Sequence, residues 1–172
     1  MILYDYPKSS AAYRVRIAIA IKGLDVEFRQ VNLLEGEQRS EAYRTVASAG
    51  LVPALELDDG RILTQSLAII RYLDTMAGPA LWPADPFADA QVSAMAFAIA
   101  CDIHPLNNQR VLNYLESSLG VDAGQKSAWY AHWIQTGFAA LERDVSRIGG
   151  RYCAGDKATV VDCCLVPQMF NA

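Results

Sequence analysis

Lys8-Ser9-Ser10, followed by Arg14 and Arg16, gathers two hydroxyls and three cations around what reads as a junction between a strand and a helix. The first N–H groups of a helix have no intrahelical acceptor, and serine side chains at the junction converge on the same spot. An ordinary serine N-cap fits this pattern, and so does an anion site. Arg14 and Arg16 stand in the first turns, where the macrodipole disfavours cations by roughly a few tenths of a kcal/mol. A bound anion would offset that placement; surface carboxylates paired with the arginines would offset it equally. Leu51-Val52-Pro53-Ala54 opens a strand with proline. A cis Val52–Pro53 bond would expose the N–H and C=O of Val52 to a ligand, although cis accounts for only ~5–6% of X-Pro bonds. Gln65-Ser66 opens a helix, where the serine either caps or captures a carboxylate. Further on, His104, Asn107, Asn108 and Val111 share one face of a helix that Pro105 kinks. His104 suits a structural hydrogen bond or a substrate cleft. Arg110 falls about 100° or more off that face and suits an anion or the solvent.

The elements that must position these groups alternate over the first 77 residues. Ile2–Tyr6 reads as a strand, Ala12–Lys22 as a helix closed by Gly23, Val26–Leu33 as a strand and Glu37–Ala47 as a helix. The run from Pro53 turns at Asp58-Asp59-Gly60 and returns along Arg61–Thr64 as a hairpin. Ser66–Met76 is helical, with Leu67, Ile70 and Leu73 on one face. Gly78-Pro79 and Trp82-Pro83-Ala-Asp-Pro86 then break the pattern, which predicts a linker over 78–86 between a domain at 1–77 and a second at 87–172. The second domain reads as all helical: Phe87–Glu116, Ala123–Ile148, and a helix from Thr159-Val-Val-Asp162, a capping pattern. That last helix has run scarcely three turns at Ala172, leaving Leu165, Val166 and Phe170 as an apolar face, so further chain is expected beyond it.

Composition narrows the classes. Of 172 residues, 52% are hydrophobic and 20% charged, enough to build a core. A net charge of -4 argues against a nucleic-acid partner, which needs a concentrated excess of Lys and Arg. The longest apolar stretches fall far short of the ~18 residues a membrane span needs, and no charged region precedes an apolar one as in a secretory leader. A cytoplasmic protein is expected. Cys101, Cys153, Cys163 and Cys164 form no CxxC pair, His104 and His132 have no neighbouring cysteine, and there is no HExxH, so no metal site is expected. Adjacent Cys163 and Cys164 suit small buried side chains.

Tyr4…Ser9-Ser10…Tyr13-Arg-Val-Arg-Ile-Ala18, Gly50-Leu-Val-Pro-Ala-Leu55 and Gln65-Ser-Leu-Ala-Ile-Ile70 together resemble the zeta-class glutathione transferases, which include the maleylacetoacetate isomerases. Cys101-Asp-Ile-His-Pro-Leu-Asn-Asn-Gln-Arg-Val-Leu112 resembles the bacterial maleylpyruvate isomerase branch, and Thr159…Asp162-Cys-Cys-Leu-Val-Pro-Gln168 also matches. The resemblance covers nearly the whole chain. It implies an α/β plus all-α architecture: a thioredoxin-like N-terminal domain followed by a helical domain, assembled as a homodimer. It implies glutathione as cofactor, a small dicarboxylate substrate, and cis–trans isomerisation in aromatic-compound catabolism. By motif match, Ser9, Ser10, Ala11 and Arg14 would face the cysteinyl end of glutathione and Gln38 its glycine region. Val52, before Pro53, would hold the peptide backbone; Gln65 and Ser66 the γ-glutamyl carboxylate. Asn107 would approach from the helical side. The family pattern favours Ser9 as donor to the thiolate and leaves Ser10 to cap the helix. Lys8, His104, Asn108 and Arg110 would receive the diacid. One departure stands out: the pattern is Ser-Ser-Cys-Ser-aromatic, and Ala11 and Ala12 occupy its third and fourth places. Two other readings therefore remain, a transferase conjugating electrophiles and a non-catalytic binding module of the same fold.

Overall fold

A computed structural model describes residues 1–172. Strand β1 (Ile2–Asp5) leads through a turn in which Ser9 N–H donates to the Tyr6 carbonyl, and α1 (Ser10–Lys22) follows. Gly23 closes α1 at φ 63°, a left-handed cap that costs glycine no side-chain clash. Strand β2 (Glu27–Gln30) pairs parallel with β1, while β3 (Ala54–Glu56) pairs antiparallel with β1 and β4 (Ile62–Thr64) antiparallel with β3. The sheet order is β2-β1-β3-β4. Helix α3 (Ser66–Asp74) packs on α1.

Period-two alternation sorts the sheet's two faces. Leu3 and Leu55 are register partners and fully buried, as are Ala12, Val15 and Ala18 of α1 and Ile69, Ile70 and Leu73 of α3. Each buried Ile or Leu contributes about 1.5–3 kcal/mol. Tyr4 and Ala54, also register partners, face the other way and cluster with Val31, Tyr43 and Ala47. Tyr43 comes from α2 (Glu41–Val46). Lys22 buries its ammonium at the far end of α1, where Nζ donates to Asp74 Oδ1 (3.2 Å), the Asp74 carbonyl (3.1 Å) and the Pro79 carbonyl (3.1 Å). Three acceptors compensate a charge that burial would otherwise penalise.

Contacts divide the chain into two compact units, Met1–Leu81 and Trp82–Ala172. The second is helical: α4 (Pro86–Phe97), a π-helical stretch Ala98–Ile103, a 3-10 turn His104–Asn107, α5 (Gln109–Leu119), α6 (Ala123–Ile148) and α7 (Val160–Phe170). Helix α4 packs against α7, and α6 against the π stretch. Thr159 and Asp162 form the expected capping box, and Cys163 and Cys164 are buried core residues. No helix is long and apolar enough to cross a membrane.

Two expected helices are broken, each by a side chain that competes for backbone donors. The helix expected over Glu37–Ala47 splits into a 3-10 turn, Glu37–Arg39, and α2, because Ser40 takes an extended conformation and its Oγ accepts from Tyr43 N–H at 3.1 Å. The single helix expected over Phe87–Glu116 is four pieces. Pro105 has no N–H to continue the ladder, and Asn108 is extended (φ -65°, ψ 141°) as the N-cap of α5. The strand expected over Val26–Leu33 shortens to Glu27–Gln30, whose side chains are all exposed at the sheet's edge.

Candidate active site

Sheet register brings three of the four suspected stretches to one end of the N-terminal unit. Tyr4 and Thr64 both sit opposite Ala54, one on each side of β3. The C-terminal ends of β1 and β4 therefore flank the N-terminal end of β3, and Lys8–Ser10, Val52–Pro53 and Gln65–Ser66 leave the sheet side by side. Ligands collect at such strand ends because helix N-termini start there. Arg14 ties the two helices together: buried at 2% exposure, it donates from Nη1 to Ser66 Oγ at 3.2 Å.

Each helix start leaves donors for an anion. Neither α1 nor α3 carries an acidic residue in its first turn, and Gln65, at the N-cap of α3, makes no side-chain cap bond. Gln65 is also the chain's one non-glycine residue at positive φ (71°, with ψ 116°). Such a conformation costs about 1–3 kcal/mol and persists where the surrounding structure imposes it, as at ligand clamps. The Val52–Pro53 bond is cis. Val52 lies outside every strand, and its N–H and C=O make no hydrogen bond within the protein. Gln38 reaches the Leu33 carbonyl with Nε2 at 3.5 Å, while its Oε1 is buried without a partner. The helix N-termini offer donors to an anion, and Val52 and Gln38 add the donor and acceptors that a peptide backbone would pair with.

One expectation needs correction. Ser9, not Ser10, caps α1: Ser9 Oγ accepts from Ala12 N–H at 3.2 Å, and Ser10 is the buried first residue of the helix. A hydroxyl that accepts one bond keeps its own proton to donate, so capping leaves Ser9 free to serve a thiolate as well. Of the two roles open to Arg16, the structure shows the pairing with a carboxylate. Its Nη1 contacts Asp5 Oδ1 and Oδ2 at 2.8 and 2.7 Å, and Nη2 donates to the Pro7 carbonyl at 3.0 Å. Lys8 is exposed beside the turn, and Ala11 is half-buried on the first turn of α1.

The helical unit gathers a second polar group. Asn108 Nδ2 and His104 Nε2 are 3.5 Å apart, and Asn108 Oδ1 accepts from Arg110 N–H at 3.1 Å. Asn107 Nδ2 donates to the Tyr130 carbonyl at 3.2 Å, leaving a buried Oδ1 with no partner. Arg110 is exposed at the start of α5. Sequence reasoning missed Tyr43, whose hydroxyl donates to the Leu51 carbonyl at 2.9 Å; its only local signal is an apolar spacing.

A β-α-β unit followed by a β-hairpin and helix, with a cis-proline at a strand's start and helix N-termini around it, defines a thioredoxin-like glutathione-binding domain. The family model for the glutathione S-transferase N-terminal domain matches residues 3–80. The probable maleylacetoacetate isomerase of Vibrio cholerae is 48% identical over 175 residues, covering 100% of this chain and 81% of that protein. A holo structure of a maleylpyruvate isomerase, described as a bacterial zeta-class glutathione S-transferase, superposes with a TM-score of 0.95 at 40% identity, over 100% of this chain and 82% of that one. The maleylacetoacetate isomerase of Anaeromyxobacter dehalogenans, solved with dicarboxyethyl glutathione and citrate in its active site, gives a TM-score of 0.86 at 40% identity, over 99% of this chain and 76% of that one. The chain belongs to the zeta-class glutathione transferase and maleylacetoacetate isomerase family.

Proposed function

We infer that the chain is a glutathione-dependent cis–trans isomerase of a small unsaturated diacid, of the maleylacetoacetate or maleylpyruvate type. The observation that carries this reading is the pair of helix N-termini joined by Arg14 and Ser66 beside the unbonded backbone of Val52. The relatives support the chemistry: a dicarboxyethyl group on glutathione is what a thiol forms on adding across the double bond of a four-carbon unsaturated diacid.

In this reading residues 1–77 hold glutathione, 78–86 link, and 87–172 serve the diacid. Ser66, Gln65 and the first amides of α3 take the γ-glutamyl carboxylate, with Arg14 fixing the Ser66 hydroxyl. Val52, presented by Pro53, pairs with the cysteinyl backbone, and the Gln38 segment meets the glycine end. Glutathione supplies a thiol whose reversible addition turns a conjugated cis double bond into a rotatable single bond. Ser9 Oγ–H and the amides of Ser10 and Ala11 hold that sulfur as its anion. Helix N-termini bring thiols from about 8.5 into the ~3.5–7.5 range. Because the nucleophile arrives with the cofactor, Ala11 in the family's cysteine place does not remove it. Lys8 in the N-terminal unit and, separately, Arg110, His104 and the Asn107–Asn108 pair in the helical unit are proposed as groups for the substrate's carboxylates, a role in which fixed donors are worth most. A homodimeric, cytoplasmic enzyme is part of the same proposal.

The test is to follow maleylpyruvate and maleylacetoacetate separately, with and without glutathione. Turnover of one of them to its trans isomer, only with glutathione present, is expected. Ser66→Ala should weaken glutathione binding by about 1.5–3 kcal/mol, the value of a hydrogen bond to a charged group. Accumulation of a stable S-conjugate would instead favour the conjugating transferase; no glutathione binding at all would leave only the non-catalytic module.

A further inference from the structure

The Val52 backbone, as a ligand contact, needs a support of its own. Val52 lies ahead of the sheet, in a loop that makes no backbone bond at that residue, so something else must fix its direction. Two contacts do so, and both come from the 3-10 turn and α2. Tyr43 reaches out of α2, and its hydroxyl donates to the carbonyl of Leu51, the peptide group shared with Val52 N–H. Opposite edges of that single peptide plane thus belong to Tyr43 and to whatever Val52 N–H meets. One residue earlier, Gly50 lies against the Gln38 backbone: a Cβ on Gly50 would fall 2.7 Å from the Gln38 carbonyl oxygen, and φ is +62°. The ring of Tyr43 is itself anchored, 5% exposed within the Tyr4, Val31, Ala47 and Ala54 cluster, with its centroid 5.9 Å from that of Tyr4.

We propose that Tyr43 is a positioning residue for glutathione: by holding the Leu51–Val52 peptide, its hydroxyl locks the ledge before the cis-proline to the Gln38 segment, so that the cysteinyl and glycine ends of the site form as one unit. The proposal rests on the reading of Val52 and Gln38 as glutathione contacts given above. It follows that α2 senses the cofactor's backbone without touching its sulfur. Loss of the hydroxyl loosens the ledge and weakens binding, yet leaves Ser9 and the α1 amides, and so the chemical step, in place.

The experiment measures KM and kcat for isomerisation, and glutathione affinity by calorimetry, for Tyr43→Phe, Gly50→Ala and Ser66→Ala in the full chain. Tyr43→Phe keeps the buried ring and removes one donor. It should raise the KM for glutathione at least threefold, with kcat at saturating glutathione within twofold of the parent and the KM for the diacid unchanged. Gly50→Ala strains the same joint from its other side and should move the glutathione KM in the same sense, which keeps the idea testable if Tyr43→Phe fails to fold. A purely structural role would lower kcat, through the fraction of active protein, and leave KM alone; that result overturns the proposal. So does an unchanged glutathione affinity in Tyr43→Phe while Ser66→Ala weakens binding, and there the site assignment survives. If neither variant weakens binding, the assignment of the site fails and the proposal falls with it.

Discussion

Replacing Ser9 perturbs two things that adjacent substitutions can separate. Its Oγ accepts the Ala12 N–H, and its proton remains available to the thiolate. Alanine removes both interactions. Glycine also removes both, but a glycine N-cap costs only a few tenths of a kcal/mol against about 0.5–2 kcal/mol for alanine. Ser9 sits at φ -80° and ψ 115°, where either residue fits without strain. For a domain of this size about 1 kcal/mol shifts Tm by roughly 2–4 °C, so Ser9→Ala should melt a few degrees below the parent and Ser9→Gly close to it. The chemical effect should be equal in the two. A hydrogen bond to a charged group is worth about 1.5–3 kcal/mol and one pKa unit about 1.36 kcal/mol, so the bound thiol should rise by about one to two units. Turnover near pH 7 should fall by up to roughly ten- to hundredfold and recover at alkaline pH. The assay is the ultraviolet thiolate absorbance of bound glutathione against pH, with thermal melts alongside. If both Ser9 variants titrate with the parent, the hydroxyl is no donor and the helix amides carry the stabilisation. If Ser10→Ala shifts the curve and the Ser9 variants do not, the two serines have exchanged roles.

Three further outcomes are expected. Arg16→Gln, which leaves the buried Asp5 carboxylate without its cation but touches no ligand contact, should cost up to about 3–5 kcal/mol in a denaturant melt and leave the glutathione KM unchanged. Burial, reinforced by Asp162, pushes the Cys153 thiol up to about 12. Between the unfolded thiol's value near 9.0 and that figure, only the unfolded chain loses the proton, so stability should fall as pH rises through this window; Cys153→Ser should flatten the decline measured by urea titration. Gly137→Ala places a Cβ 2.4 Å from Ile103 Cγ1 and 2.5 Å from Cδ1, so Tm should drop by several degrees, in keeping with an overpacking cost of about 1–3 kcal/mol.

Much of the N-terminal fold was legible because its punctuation is chemical. Gly23, Asp59-Gly60 and the prolines can do few other things, and the strand and helix order follows from where they fall. Pro53 opened a strand as expected, but its position did not establish the cis bond, which the structure supplies. The assignment of the cap between two adjacent serines was not legible. It depends on where the preceding turn closes, and that is settled by Ser9 N–H meeting the Tyr6 carbonyl. Arg16 looked like Arg14 in sequence; the fold alone brings Asp5 to one and Ser66 to the other. The break before α5 was hidden for a different reason. Every residue from Phe87 to Glu116 except Pro105 tolerates a helix, and the decision lay with the Asn108 side chain, which accepts the N–H of Arg110, two residues on. Tyr43 was invisible as a functional group because its hydroxyl acts eight residues away, across a loop.

The π-helical stretch Ala98–Ile103 has a consequence for heredity. A π turn accommodates one residue more than the α-helical ladder around it, so the segment behaves as an insertion retained in the chain. Loss of a single codon within it would restore the α-helical ladder and leave the downstream residues close to their present orientation, because the π turn already absorbs the extra residue. A loss with no π turn to absorb it would rotate everything downstream by about 100° and shift it by about 1.5 Å, turning His104 and Asn108 away as a body with neither residue mutated. The residue count can therefore drift by one inside this stretch more readily than in a plain α-helix.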